Sequence, residues 1–123
     1  MTVARFNRYG AVKYGHDRYR YWYETELGRP WEGREIWEAA SPFNKVDKIT
    51  TPTMFIGGEK DWNVPIINSE QMYQEMKSMG RETLLVVYPD ADHGVRRPIY
   101  QKDLLERFLG WFDKYVKRSQ PDS

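Results

Sequence analysis

The sequence has no cysteine. Disulfides, thiolate metal sites and a cysteine nucleophile are therefore excluded. No apolar run approaches the roughly 20 residues of a membrane-spanning helix. The first residues, MTVARFNRYG, lack the apolar centre of a secretory signal, so the expected location is cytoplasmic. Charge of one sign is also lacking: 19 Lys and Arg stand against 18 Asp and Glu, a net charge of +1. That balance offers no overall field to draw nucleic acid or an anionic membrane, and neither is expected as a partner. Nowhere is there a Gly-x-Ser-x-Gly, the strained turn that presents a serine nucleophile.

What is present is a chain of 123 residues, 40% hydrophobic and 30% charged. Those proportions suit one small globular unit and argue against disorder. Aromatics reach 15%, with five Trp and nine Tyr, so the chain packs an aromatic core or exposes surface where a partner belongs.

The first forty residues are polar, aromatic and poorly periodic, punctuated by Gly10, Gly15, Gly28, Pro30 and Gly33. Short helices are expected over 16–28, ended by Gly28, and over 34–40, stopped by Ser41-Pro42 because the residue before proline avoids helical backbone. The pattern then sharpens. TMFIG (53–57) and TLLVVY (83–88) are continuous apolar runs of the kind found in buried parallel strands. NSEQMYQEMKSMG (68–80) reads as a helix capped by Asn68 or Ser69, with Met72, Met76 and Met79 on one face and Gly80 at its end. Residues 99–118 read as a long amphipathic helix whose stripe is Leu104, Leu105, Phe108, Leu109, Phe112, Tyr115 and Val116. SQPDS (119–123) is expected to be a disordered tail. Strand–helix–strand–helix makes the class α/β with parallel strands. Two such strands cannot cover themselves, so the chain reads as part of a larger domain.

The chemistry gathers after the strands. Asp61 lies in GGEKDWNVP (57–65) and His93 in YPDADHG (88–94), 32 residues apart. Parallel strands end on one edge of their sheet, where reactive groups of open α/β sheets collect. A carboxylate that accepts from one imidazole nitrogen fixes the tautomer and leaves the other nitrogen free to take a proton. Taken singly, each residue is more often a solvated loop charge or a structural turn residue; the pair at matched strand ends favours catalysis. No serine here is a plausible nucleophile. Ser41 lacks flanking elbow glycines, Ser69 and Ser78 lie on the intervening helix, and Ser119 and Ser123 lie in the tail. RYRYWY (18–23) could stack on single-stranded nucleic acid, but Glu24, Glu26 and the balanced charge favour ordinary packing. His16 and Asp17 with Asp92 and His93 could hold a metal, but adjacent residues rarely converge on one ion; no metal is expected.

Several segments together resemble the C-terminal part of the prolyl oligopeptidase family of serine peptidases, most of all its acylaminoacyl-peptidase and dipeptidyl-peptidase branches. They are SPFNKVDKITTP (41–52), MFIGGEKDWNVP (54–65), SEQMYQEMKSMG (69–80), LLVVYPDADHG (84–94) and ERFLGWFDKYVK (106–117), with a weaker likeness over WYETELGRPWE (22–32). The resemblance implies a partial α/β-hydrolase fold: a helical and loop segment over 1–40, then the C-terminal parallel strands with flanking helices over 41–118. It implies that Asp61 is the acid and His93 the base of a catalytic triad. Val64 would line the pocket for the residue before the scissile bond, with Trp62 beside it. The substrate would be a peptide and no cofactor would be needed. The nucleophile turn, the oxyanion-hole strand and the propeller domain of that family have no counterpart here, so the chain alone is expected to be inactive. A carboxylesterase fragment and a non-catalytic interaction module remain the alternatives. An exposed sheet edge, or exchange of the long helix or the aromatic N-terminal segment between copies, is expected to make the chain a homo-oligomer that buries Met54, Phe55, Leu85 or Val87.

Overall fold

A computed structural model describes residues 17–117. The expected tail over 119–123 and the start of the 1–40 segment lie outside the described residues. The elements in order are α1 (Asp17–Leu27), α2 (Arg34–Ala40), a 3₁₀ helix (Pro42–Lys48), β1 (Thr53–Gly58), α3 (Ile67–Ser78), β2 (Thr83–Tyr88) and α4 (Pro98–Tyr115).

The helix ends follow from local chemistry. Gly28 takes φ +75° after α1, and its N–H bonds to Glu24 O at 3.0 Å. Ser41 is extended (φ −81°, ψ 115°) and ends α2, as the residue before a proline must. Pro42 then opens the 3₁₀ helix, an element the apolar periodicity did not announce. Its reason is spacing: Phe43 and Val46 are three apart, which aligns them on one face of a three-residue turn. Both pack with Met72 and Met76.

Two expectations for α3 are corrected. Neither Asn68 nor Ser69 caps it. The helix starts at Ile67, with Ile66 in the cap position and no side-chain cap. Asn68 lies inside the first turn, where its Nδ2 donates to Pro65 O at 2.9 Å; the amide ties down the preceding turn instead of the helix end. Met79 does not join Met72 and Met76 in the core but is 37% exposed, because it occupies the C-cap where the backbone turns away.

β1 and β2 pair in parallel, from Thr53 opposite Thr83 to Gly58 opposite Tyr88. The two-residue period of strands sends alternate side chains to opposite faces. Phe55 goes to the face covered by α3, the 3₁₀ helix and Ile49. Met54, Ile56, Leu84, Val86 and Tyr88 go to the other face, with Ala91, Val95 and, from α4, Tyr100 and Leu104. A separate cluster joins α1 and α2: Tyr23 meets Trp37 edge-on at 5.9 Å, and Trp37 Nε1 donates to Gly28 O at 2.9 Å.

The stripe expected on α4 is only partly used. Leu104 packs on the sheet, but Leu105, Phe108, Leu109, Phe112 and Val116 are exposed. The helix is anchored by polar contacts instead. Tyr88 donates to Asp103 Oδ2 at 2.9 Å, and Tyr115 donates to Glu82 Oε2 at 2.6 Å.

Candidate active site

The site is built where β1 and β2 end. The parallel ladder runs one bond past the strands, with Glu59 N–H on Tyr88 O at 3.0 Å, and Lys60 N–H then bonds Ala91 O at 2.9 Å. On the β2 side the chain reverses through Pro89 and Asp90. Ala91 N–H returns to Tyr88 O, and Asp90 takes φ +56°. Its N–H is held by the Glu59 carboxylate at 3.0 Å. Lys60 and Asp90 form an ion pair across the two loops, both about half exposed. Asp90, chiefly through its hydrogen bond, raises the Lys60 pKa, and Lys60 in the same way lowers that of Asp90.

Asp61 follows directly. Its N–H closes a turn onto Gly58 O at 3.2 Å. The side chain is buried, at 7% exposure, and its carboxylate is fully engaged. Oδ1 accepts the N–H groups of Asn63 at 2.9 Å and Val64 at 2.8 Å. Oδ2 lies 2.9 Å from His93 Nδ1. An ionised carboxylate can only accept, so Nδ1 carries the proton and the lone pair falls on Nε2. Among the described residues Nε2 has no partner, and the His93 side chain is 43% exposed. The arrangement is a buried acceptor, an oriented imidazole and an open basic nitrogen, which can hold and move a proton at Nε2.

The structure thus brings together the two residues expected to meet. Val64 and Trp62 share the Asp61 turn. Val64 is half-buried with its N–H fixed by Asp61, while the Trp62 ring is 57% exposed. A depression of about 400 Å³ lined by Phe43, Ile67, Glu70, Gln71, Gln74 and Glu75 includes none of these four residues. No group of three His, Cys, Asp or Glu that could hold a metal occurs among the described residues; His16 lies outside them. Of RYRYWY, Tyr23 is core and Tyr21 is 76% exposed.

Four residues of this site escaped sequence reasoning. Gly58, Glu59, Lys60 and Asp90 join the two loops, yet each contact spans about thirty residues of sequence and no short-range period records it. The doubled glycine before an acidic turn was the one available signal.

The chain is similar to known proteins. The sequence profile described as the Prolyl oligopeptidase family matches residues 8–119. The chain is 38% identical over 81 residues to acylamino-acid-releasing enzyme 1 of Oryza sativa subsp. japonica, covering 63% of this chain and 10% of that protein. It is 36% identical over 77 residues to the acylamino-acid-releasing enzyme of Arabidopsis thaliana, with the same 63% and 10% coverage. The chain therefore spans about a tenth of the length of these curated relatives. Its backbone superposes on the uncomplexed acylaminoacyl peptidase of Pyrococcus horikoshii with a TM-score of 0.83 at 17% identity, over 98% of this chain and 20% of that one.

Proposed function

The chain belongs to the prolyl oligopeptidase family, and on that premise we propose that Asp61 and His93 are the acid and base of a serine peptidase's catalytic triad, acting in peptide-bond hydrolysis. The observation that carries this reading is the 2.9 Å contact between Asp61 Oδ2 and His93 Nδ1 at the shared edge of two parallel strands. His93 Nε2 takes the proton of an attacking serine hydroxyl and returns it to the leaving amine; Asp61 orients the ring and stabilises the imidazolium. The likeness to acylamino-acid-releasing enzymes points to peptide substrates. Val64, and beside it Trp62, would contact the residue before the scissile bond.

The nucleophile is supplied by polypeptide outside these 123 residues. Ser41 is buried, at 5% exposure. Ser69 lies in the first turn of α3, and the Ser78 hydroxyl donates to Glu75 O at 2.8 Å. None faces His93 across a hydrogen bond. By itself the chain is therefore inactive, since a missing triad member removes several orders of magnitude of rate.

Two measurements test this. A fluorophosphonate probe incubated with the chain should label no serine; stoichiometric labelling of Ser41, Ser69 or Ser78 would overturn the assignment. In a polypeptide that supplies the serine, Asp61→Asn should lower kcat by roughly four orders of magnitude by giving the wrong tautomer. An unchanged kcat there would sink the role of Asp61.

A further inference from the structure

We infer that Gly58 and the Lys60–Asp90 ion pair are positioning residues, which seat the loop carrying His93 on the turn carrying Asp61. The inference rests on the role proposed for that pair.

Gly58 is the last residue of β1 and is buried. Its φ is not left-handed, unlike Gly28 and Gly80, so what it supplies is space. A Cβ built there collides with the carbonyl oxygens of Ala91 and Asp92 and lies 2.7 Å from the Ala91 carbonyl carbon. These are backbone atoms and cannot swing aside. Around Gly28 and Gly80 a Cβ meets nothing within 4 Å. Asp92 is the residue before His93. Any side chain at position 58 therefore lifts the base of the histidine loop away from the strand end, while Asp61 stays behind, its turn closed on Gly58 O. The contact at stake is a single 2.9 Å hydrogen bond, and a lift of about 1 Å takes it beyond hydrogen-bonding range.

The tethers above Gly58 act in the same direction. Lys60 N–H holds Ala91 O, Glu59 holds the N–H of Asp90, and the Lys60 ammonium holds the Asp90 carboxylate. An aspartate at φ +56° is in a region that glycine occupies at less cost. Glycine there would lose the ion pair. The pair itself is solvent-exposed and stabilises the fold little; what it contributes is the register of one loop against the other.

The test is the tautomer of His93, read from long-range ¹H–¹⁵N spectra of the full chain at a pH where the ring is neutral. A merely structural residue leaves that tautomer unchanged in any variant that folds. The wild type should show the Nδ1–H form. Gly58→Ala should shift His93 to the Nε2–H form that an unpaired histidine favours, while the Tyr23–Trp37 cluster keeps its shifts. Lys60→Met and Asp90→Gly add no bulk at the contact and test the ion pair even if Gly58→Ala does not fold. Each should change the Nδ1–H to Nε2–H ratio by roughly 1.5- to 5-fold, the range for an exposed pair, and Lys60→Arg should restore it. A folded Gly58→Ala chain with the wild-type tautomer overturns the role of Gly58. Unchanged ratios in both ion-pair variants overturn the role of that pair. A wild type already in the Nε2–H form instead sinks the Asp61–His93 pairing, and this inference with it.

Discussion

Tyr88 ties the candidate site to the rest of the molecule. It ends β2, four residues before Asp92, and is 4% exposed. Burial, then its hydrogen bond to Asp103, pushes its phenol up to about 12. The folded state thus favours the neutral phenol more than the unfolded chain does, where tyrosine ionises near 10. Its contribution is complete below about pH 10 and is lost as the pH rises towards 12. An alkaline absorbance titration should therefore show one tyrosine ionising well after the exposed ones, and Tyr88→Phe should delete that late step. A late step that survives in the variant would assign the shift elsewhere. The hydroxyl itself should be worth about 1 kcal/mol, as one buried hydrogen bond. At this scale Asp61 and His93 were legible in the sequence, since each follows a strand that its own apolar run announces. Gly58 was not. Its need for a missing side chain arises from Ala91 and Asp92, more than thirty residues away, and nothing local distinguishes it from Gly57.

Among the elements, α3 is the one whose ends can be weighed separately from its packing. At its C-terminus Gly80 N–H bonds Lys77 O at 3.0 Å and Arg81 N–H bonds Met76 O at 2.9 Å, the paired bonds of a Schellman motif. Gly80 takes φ +69° with nothing near a would-be Cβ. Gly80→Ala should therefore cost only the left-handed penalty, about 1–2 kcal/mol, visible as a lower denaturant midpoint with an unchanged His93 tautomer. Met76→Ala should cost more, about 2–5 kcal/mol, by leaving a cavity at a residue with 0% exposure. The opposite ranking would mean that the α3 core is loosely packed. The existence of this helix and its last residues were legible from Met72, Met76 and Gly80. Its start was not, because Asn68 and Ser69 are good caps by type, and only the preceding turn decides that Asn68 binds Pro65 O instead. The 3₁₀ helix was missed for a similar reason: a three-residue spacing over seven residues leaves no trace in a search for 3.6-residue or two-residue periods.

For the whole molecule, the legible part was the class, parallel strands with helices on both faces, now placed within the α/β-hydrolase fold by its likeness to solved peptidases. What periodicity could not say is how far the faces would be covered. Within β1 and β2 only Gly58, Val86 and Tyr88 are buried, and Val87 is 38% exposed. The two-stranded sheet leaves an outer edge on each strand unpaired among the described residues. On α4, Leu105, Leu109, Phe112 and Val116 are all more than half exposed, and their spacing of four, three and four residues is that of a helix–helix seam. Charges beside the seam are already matched along α4 and just past its end: Lys102 with Glu106, Asp103 with Arg107, and Asp113 with Lys117. A second copy of α4 would therefore meet apolar surface flanked by charges with local partners. A two-fold arrangement would set Leu105 against Val116 and Leu109 against Phe112, which is self-complementary as a closed dimer requires. Studied by itself, this 123-residue chain is thus expected to be a dimer whose affinity rests on that seam. Light scattering over a dilution series should show dissociation, and Leu109→Glu with Phe112→Glu, both at exposed positions, should set like charges against each other across the seam and give monomers with the circular dichroism of the wild type. A wild-type chain that is monomeric and unfolds cooperatively at micromolar concentration would refute the dimer and leave the apolar face of α4 to whatever polypeptide supplies the serine.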